Sequence, residues 1–233
     1  MLLLLPLSSL EDEYMTIKDL GLIEYNKALE LQQKLFDSCI ECKKSGSDTE
    51  NHLLFCEHPN TLTIGKHGNR NNLLCNSRFL AEKGISLYET GRGGDITYHG
   101  PGQLVGYPIF DLESYNIGIK QYIFNIEEVI IRLLASYGIK GERLEGAAGA
   151  WLDPNKPLKA RKICAIGVKA SHFVTMHGFA LNVNTDLSYF SLINPCGFSD
   201  KGVTSMEKEL GEKVDMEEVK ERVAGLFGEI FSV

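Results

Sequence analysis

The sequence predicts one α/β domain of the α+β kind, with helices packed on a mixed, mostly antiparallel sheet. Three observations predict it. Apolar residues recur at helical spacing in three well-separated stretches. Between them lie short apolar runs bounded by Gly, Pro and Asn, the pattern of strands and turns. Several connections between those runs are too short for a purely parallel sheet, whose neighbours need crossovers of about a dozen residues. The chain has 233 residues, 43% hydrophobic and 24% charged, which supports a substantial core and excludes a disordered chain. No repeat and no low-complexity linker divides it.

Residues 1–14 read as a disordered extension. Met1 to Leu7 is apolar but short, lacks a basic leader and runs into Glu11, Asp12 and Glu13, unlike a secretory signal. Residues 15–233 then form the domain. Asn26 to Lys44 is a helix with Ala28, Leu31, Leu35 and Cys39 along one stripe, ended at Ser45-Gly46-Ser47-Asp48. His52 to Cys56 is a short buried strand, and Leu62 to Gly65 leads into a polar loop. Ile85 to Glu89 is a strand that enters a glycine run. Leu104 to Phe110 is another, where Pro108 predicts an edge position or an irregularity. Ile119 to Tyr137 carries one wide apolar face, with Gly138 as its C-terminal cap. Strands follow at Gly149 to Leu152, Arg161 to Ala170 and His177 to Val183, with a Pro-rich loop at 153–157. Met216 to Ile230 closes the chain as an amphipathic helix.

Charge and cysteine usage narrow the function. A net charge of −7 argues against a general nucleic-acid binder. No run approaches the roughly 20 apolar residues of a membrane-spanning helix. Six irregularly spaced cysteines in a chain of this length read as free thiols in a reducing cytoplasm. Cys39 and Cys42 form a C-x-x-C, but Cys39 belongs to a helical stripe and no second pair follows, so no metal is expected. Neither a phosphate-binding Gly-x-x-x-x-Gly-Lys-Ser/Thr loop nor a Gly-x-Ser-x-Gly elbow is present.

Three segments carry chemistry. Arg92 to Gln103 reads Arg-Gly-Gly-Asp-Ile-Thr-Tyr-His-Gly-Pro-Gly-Gln, too rich in Gly for helix and dense in hydrogen-bonding groups. By itself it fits a tight turn and a ligand loop about equally. Lys162 opens a strand in which Lys162, Cys164, Ile166 and Val168 share a face by period two, which points the amine inward. An amine against apolar surface loses its charged form more easily and can exchange protons with a thiol. Cys196, in Asn194-Pro195-Cys196-Gly197, sits in a turn; it becomes a nucleophile only as thiolate, with a cation or base nearby. Taken singly, Lys162 also reads as a snorkelling strand-end lysine and Cys196 as an inert loop cysteine. A triad of His99, His177 and Asp186 with a cysteine is a further combination that spacing alone does not select.

Arg92–Gln103, Lys162-Ile-Cys-Ala-Ile-Gly167 and His177-Gly-Phe-Ala-Leu-Asn182 leading to Asn194-Pro-Cys-Gly197 together resemble the lipoyl(octanoyl) transferase family. The resemblance runs from about Ile17 to the C-terminus. It implies the biotin/lipoyl protein ligase fold and an acyltransferase with a Cys/Lys dyad, in a single catalytic domain. The implied reaction moves an octanoyl group from octanoyl-acyl carrier protein, through a cysteine thioester, to a lysine of lipoyl domains. Those domains belong to 2-oxoacid dehydrogenases and the glycine cleavage H protein. Carried onto this sequence, Cys196 is the nucleophile and Lys162 lowers its pKa. Arg92, Gly93, Gly94, Asp95, Ile96, Thr97, Tyr98 and His99 form one acyl-pocket segment. Ala165, Ile166 and Gly167 form a second, and Gly178, Phe179 and Ala180 a third. The resemblance implies no cofactor or ATP, no nucleic acid and no membrane. Acidic partners require a local basic rim on an acidic enzyme, for which Lys66, Arg70, Arg92, Arg161 and Lys169 are the expectation. The competing expectation is an ATP-dependent lipoate or biotin protein ligase of the same fold, which has no use for Cys196.

Overall fold

The computed structural model describes residues 11–12, 15–194 and 201–232. Among them, two sheets carry the architecture. The larger begins with β1 (Glu11–Asp12) and β2 (Met15–Leu22). It continues through β3 (His52–Glu57), β7 (Gln103–Ile109), β10 (Val174–Asn182), β9 (Arg161–Ser171) and β11 (Gly202–Val203), with β8 (Gly149–Leu152) also on β9. The β2–β3 and β9–β11 pairs are parallel and the rest antiparallel. The smaller sheet has the order β5 (Ser86–Glu89), β4 (Thr61–Ile64), β6 (Ile96–His99).

Helices cover both faces of the large sheet. Alternation along β3 shows the division. Leu53 and Phe55 enter the core shared with α3 (Ile119–Ser136) and α5 (Met216–Ile230); Leu54 and Cys56 enter the one shared with α1 (Tyr25–Ser45). Each face therefore buries an amphipathic helix stripe, the main source of helix stability in a folded chain. A third apolar cluster joins the small sheet to α2 (Ser77–Glu82) and the short helical turn Leu187–Leu192.

Local chemistry sets the helix ends. Gly46 stops α1 at φ 71°, and its N–H reaches the carbonyls of Cys42 and Lys43. Asp215 caps α5 by accepting from the N–H groups of Glu217 and Glu218. Beyond the predicted elements the fold contains β1, β2, β6, β11, α2 and α4 (Met206–Leu210). Of residues 1–14, the described pair Glu11–Asp12 lies against Thr16 and Met15.

The strand containing Pro108 is not at an edge: β7 lies between β3 and β10. The irregularity is on its neighbour. The β7–β10 ladder ends at Gly106 opposite Phe179, and two residues before Phe179 His177 takes φ 60°. Pro108 lies past the last paired residue, so its missing N–H breaks no bond to β10. Its carbonyl accepts instead from the Thr175 hydroxyl at 3.0 Å. The glycine run does avoid a central strand. Its strand portion, β6, pairs only with β4 at the rim of the small sheet.

Candidate active site

A cleft of about 1000 Å³, open mouth included, is walled by all the segments singled out in the sequence that lie within the described residues. Ala165, Ile166 and Gly167 of β9 and Gly178, Phe179 and Ala180 of β10 all line it. Arg92, Gly94, Asp95, Ile96, Thr97 and His99 form another wall.

Lys162 lies at the β8 end of the cleft, and a bulge puts it there. The β8–β9 register shifts between Ala150 and Trp151, so Cys164 pairs with Ala150 but Lys162 with Trp151. Adjacent residues of β8 point to opposite faces, so Lys162 does not share the face of Cys164 as strict period two predicts. Ile163 is the extra residue. Lys162 and Trp151 line the cleft; Cys164, fully buried, packs in the core. The Lys162 ammonium stands 4.6 Å from the Trp151 ring centroid and donates to the Ala148 carbonyl at 3.2 Å.

Two residues of the predicted acyl-pocket segment Arg92–His99 face elsewhere. Gly93 and Tyr98 are not among the cleft's lining residues. Tyr98 turns into the third apolar cluster, stacks on Tyr189 and donates to Asn60 Oδ1 at 2.8 Å. The period of two in β6 sends Thr97 and His99 to the side opposite Tyr98. The glycines mostly admit protein, not ligand. A Cβ on Gly167 would lie 2.8 Å from the Gly93 carbonyl, and one on Gly102 2.4 Å from the Asn184 carbonyl. The run is thereby pressed onto β9, with the Gly93 N–H donating to the Val168 carbonyl at 2.9 Å.

Arg92 is a brace as well as a wall. Its guanidinium is buried and donates to the Thr63 carbonyl and hydroxyl at 2.8 and 2.9 Å, to the Asp95 carbonyl at 2.7 Å and to the Gly93 carbonyl at 2.9 Å. It is therefore no part of an exposed basic rim. Arg161 is also committed, to Glu209 and Asp153, and Arg70 to Glu89. Lys169 lies over the Phe36 ring and Lys66 is exposed. The Asp95 carboxylate accepts from the Asn69 N–H and the Asn72 side chain, tying the 66–72 loop to the cleft.

His99 and His177 both line the cleft and both are held neutral. Burial, aided by the Arg92 charge, pushes each down to about 3. Their polar groups are engaged separately. His99 bonds to Gln103 and Thr63, while the His177 N–H donates to Gln32 Oε1 at 3.0 Å. Asp186 accepts from the Ser188 N–H at the start of the 187–192 turn. Among the described residues His177 Nδ1 has no protein partner. Burial also raises Tyr25, another cleft residue, to about 12. Cys39, on the buried face of α1, packs in the core. Cys196 lies outside the described residues. The chain flanking it is anchored at the site: Asn194 donates to the Asn72 carbonyl, and Val203 pairs with Lys162.

Sequence reasoning missed Trp151, Tyr25, Tyr107 and Asn182 as cleft residues. Only Trp151 had a usable signal, as the one tryptophan of the chain opposite a predicted functional strand.

The lipoyl protein ligase A/B catalytic domain matches residues 24–228. The chain belongs to that family. Family members of high similarity include the octanoyltransferase of Parabacteroides distasonis, 61% identical over 92% of this chain and 97% of that protein. The octanoyltransferase of Bacteroides fragilis is 55% identical over 88% and 92%. Among solved structures, the bipartite lipoate protein ligase of Thermoplasma acidophilum superposes with a TM-score of 0.69 at 16% identity, over 93% of this chain and 83% of that one. The biotin protein ligase of Aquifex aeolicus does so with a TM-score of 0.51 at 11% identity, covering 93% and 68%. At those identities the likeness is one of fold, and it is the biotin/lipoyl ligase fold with a mixed sheet flanked by helices. No helix among the described residues is long and apolar enough to cross a membrane.

Proposed function

We propose that the chain is an octanoyltransferase that moves the acyl group from octanoyl-acyl carrier protein to a lysine of lipoyl domains, using Cys196 as nucleophile and Lys162 as its activator. The names of relatives more than half identical to it support the octanoyl group and the transfer. The observation that carries the mechanism is the placement of Lys162: an amine at the end of an apolar-walled cleft, opposite the strand that follows Cys196.

In this reading the Cys196 thiolate attacks the carrier thioester. The carrier's thiolate leaves and takes a proton from the Lys162 ammonium, giving an octanoyl–Cys196 thioester. The acceptor lysine's neutral amine then attacks that thioester. Its excess proton passes to Lys162, and the Cys196 thiolate leaves as the amide forms. A thioester becomes an amide, which is downhill, so no nucleotide is consumed. The acyl chain lies against Ile166, Phe179 and Val105. Each buried methylene is worth about 0.8 kcal/mol, so depth of burial selects length. Backbone N–H groups near Cys196 or in the glycine run serve the oxyanion. The acceptors are the lipoyl domains of 2-oxoacid dehydrogenases and the glycine cleavage H protein.

Incubation with octanoyl-acyl carrier protein followed by intact-mass measurement tests this. A hydroxylamine-labile octanoyl adduct on Cys196, lost in Cys196→Ser together with turnover, is expected. An enzyme that keeps its activity in Cys196→Ser and requires ATP is a ligase and not this transferase.

A further inference from the structure

A chain of buried hydrogen bonds runs along the wall of the cleft, and every bond in it donates in the same direction. Arg92 donates to the Thr63 hydroxyl at 2.9 Å. Thr63 Oγ1 stands 3.4 Å from His99 Nε2, and His99 Nδ1 stands 2.8 Å from Gln103 Oε1. An amide oxygen only accepts, so Nδ1 carries the proton, and in the neutral ring Nε2 is then the acceptor from Thr63. Gln103 Nε2 donates to Asn182 Oδ1 at 2.9 Å and to the Tyr98 carbonyl at 3.1 Å. Asn182 Nδ2 donates to the Thr204 carbonyl at 3.0 Å. The two backbone carbonyls accept only, which fixes the orientation of both amides. Thr63, His99, Gln103, Asn182 and Thr204 are all buried.

The two ends of this chain are functional. Arg92 holds the glycine run. At the other end the Thr204 N–H donates to the Lys162 carbonyl at 2.9 Å. The β9–β10 ladder stops at Cys164 opposite Leu181, and β11 takes over beside Lys162. Asn182, the last residue of β10, thus fastens β11 at the point where β9 changes partner. On the octanoyltransferase reading, we infer that Asn182 and Gln103, through the neutral Nδ1–H tautomer of His99, are positioning residues that register Lys162 against the acyl-binding loop. Polarised chains of this kind strengthen bond by bond, and a single reversed dipole leaves two donors or two acceptors facing each other.

Asn182→Leu tests it, because the change keeps size and adds no charge but removes both the acceptor toward Gln103 and the donor toward Thr204. The expected result is a fall in kcat on the order of 10- to 100-fold, the scale of a misplaced catalytic group. The pH profile of Cys196 alkylation moves up by about one unit as Lys162 shifts away. A purely structural residue would lower stability without moving that profile. A kcat within about twofold of wild type with an unmoved profile overturns the inference. The wild-type chain supplies a reading that depends on no variant's folding. The 15N pattern of His99 should show a neutral ring protonated on Nδ1, and a ring protonated on Nε2 overturns the relay. That measurement needs no turnover, so it stands apart from the octanoyl-adduct experiment, whose failure would strike the transferase reading alone.

Discussion

At the residue scale the proposed reactive pair divides into Lys162, whose setting the structure describes, and Cys196, which lies outside the described residues. Lys162 is set by a bulge, a tryptophan face and the Ala148 carbonyl. Its proposed task is to stabilise the Cys196 thiolate by charge. Lys162→Ala should therefore raise the apparent thiol pKa, and iodoacetamide alkylation of Cys196 should require higher pH. An unchanged alkylation profile removes Lys162 from the activating role. The strand that carries Lys162 is legible, but a strict period of two places its amine on the face of Cys164, where the structure does not have it. The bulge is not legible, because one extra residue in an apolar run leaves composition unaltered. Tyr98 departs from the cleft for a related reason. A motif names consecutive residues, whereas a strand sends alternate ones to opposite faces. The sequence presents Arg92 as a partner-facing charge, and nothing in its neighbours announces its carbonyl and hydroxyl contacts with Thr63, Asp95 and Gly93.

At the element scale the long amphipathic helices and the core strands are legible, since burial imposes a period that sequence records. The strand Met15–Leu22 is not. It buries few residues and follows no alternation, with the pattern of its eight positions mostly open to solvent. The six residues of α2 are too few to show a helical period. Close packing gives the elements testable tolerances. Gly106 of β7 lies under the Phe179 ring, where a Cβ would meet ring carbons at 2.2 Å. Gly106→Ala should destabilise by about 1–3 kcal/mol or more, the cost of overpacking. Gly225 is exposed in the interior of α5, and a Cβ there would meet no atom within 4 Å. Gly225→Ala should stabilise by about 1 kcal/mol, the helix propensity difference. Urea denaturation of the two variants checks both signs, and the same sign for both would contradict the packing account.

At the scale of the whole molecule, the cleft couples function to acid stability. Its wall buries two neutral imidazoles beside the Arg92 charge, and both are held down to about 3. The unfolded chain binds protons on these residues below about pH 6.5, and the folded chain does not. Protonation therefore favours the unfolded state, and stability falls as the pH drops from about 6.5 toward 3. Each histidine should cost about 2 kcal/mol between about pH 7 and pH 5. Paired carboxylates such as Glu209 and Glu128 are held below their ordinary range by arginines, so their contribution is lost at lower pH than this. Between about pH 7 and pH 5 the histidines should dominate. His177→Asn isolates one of them, since asparagine tolerates the φ of 60° and keeps the N–H that Gln32 accepts from. Urea midpoints at about pH 7 and pH 5 should lie closer together in the variant than in the wild type. A wild-type gap that persists undiminished in His177→Asn would mean that His177 takes up its proton in the folded state, against its burial beside Arg92.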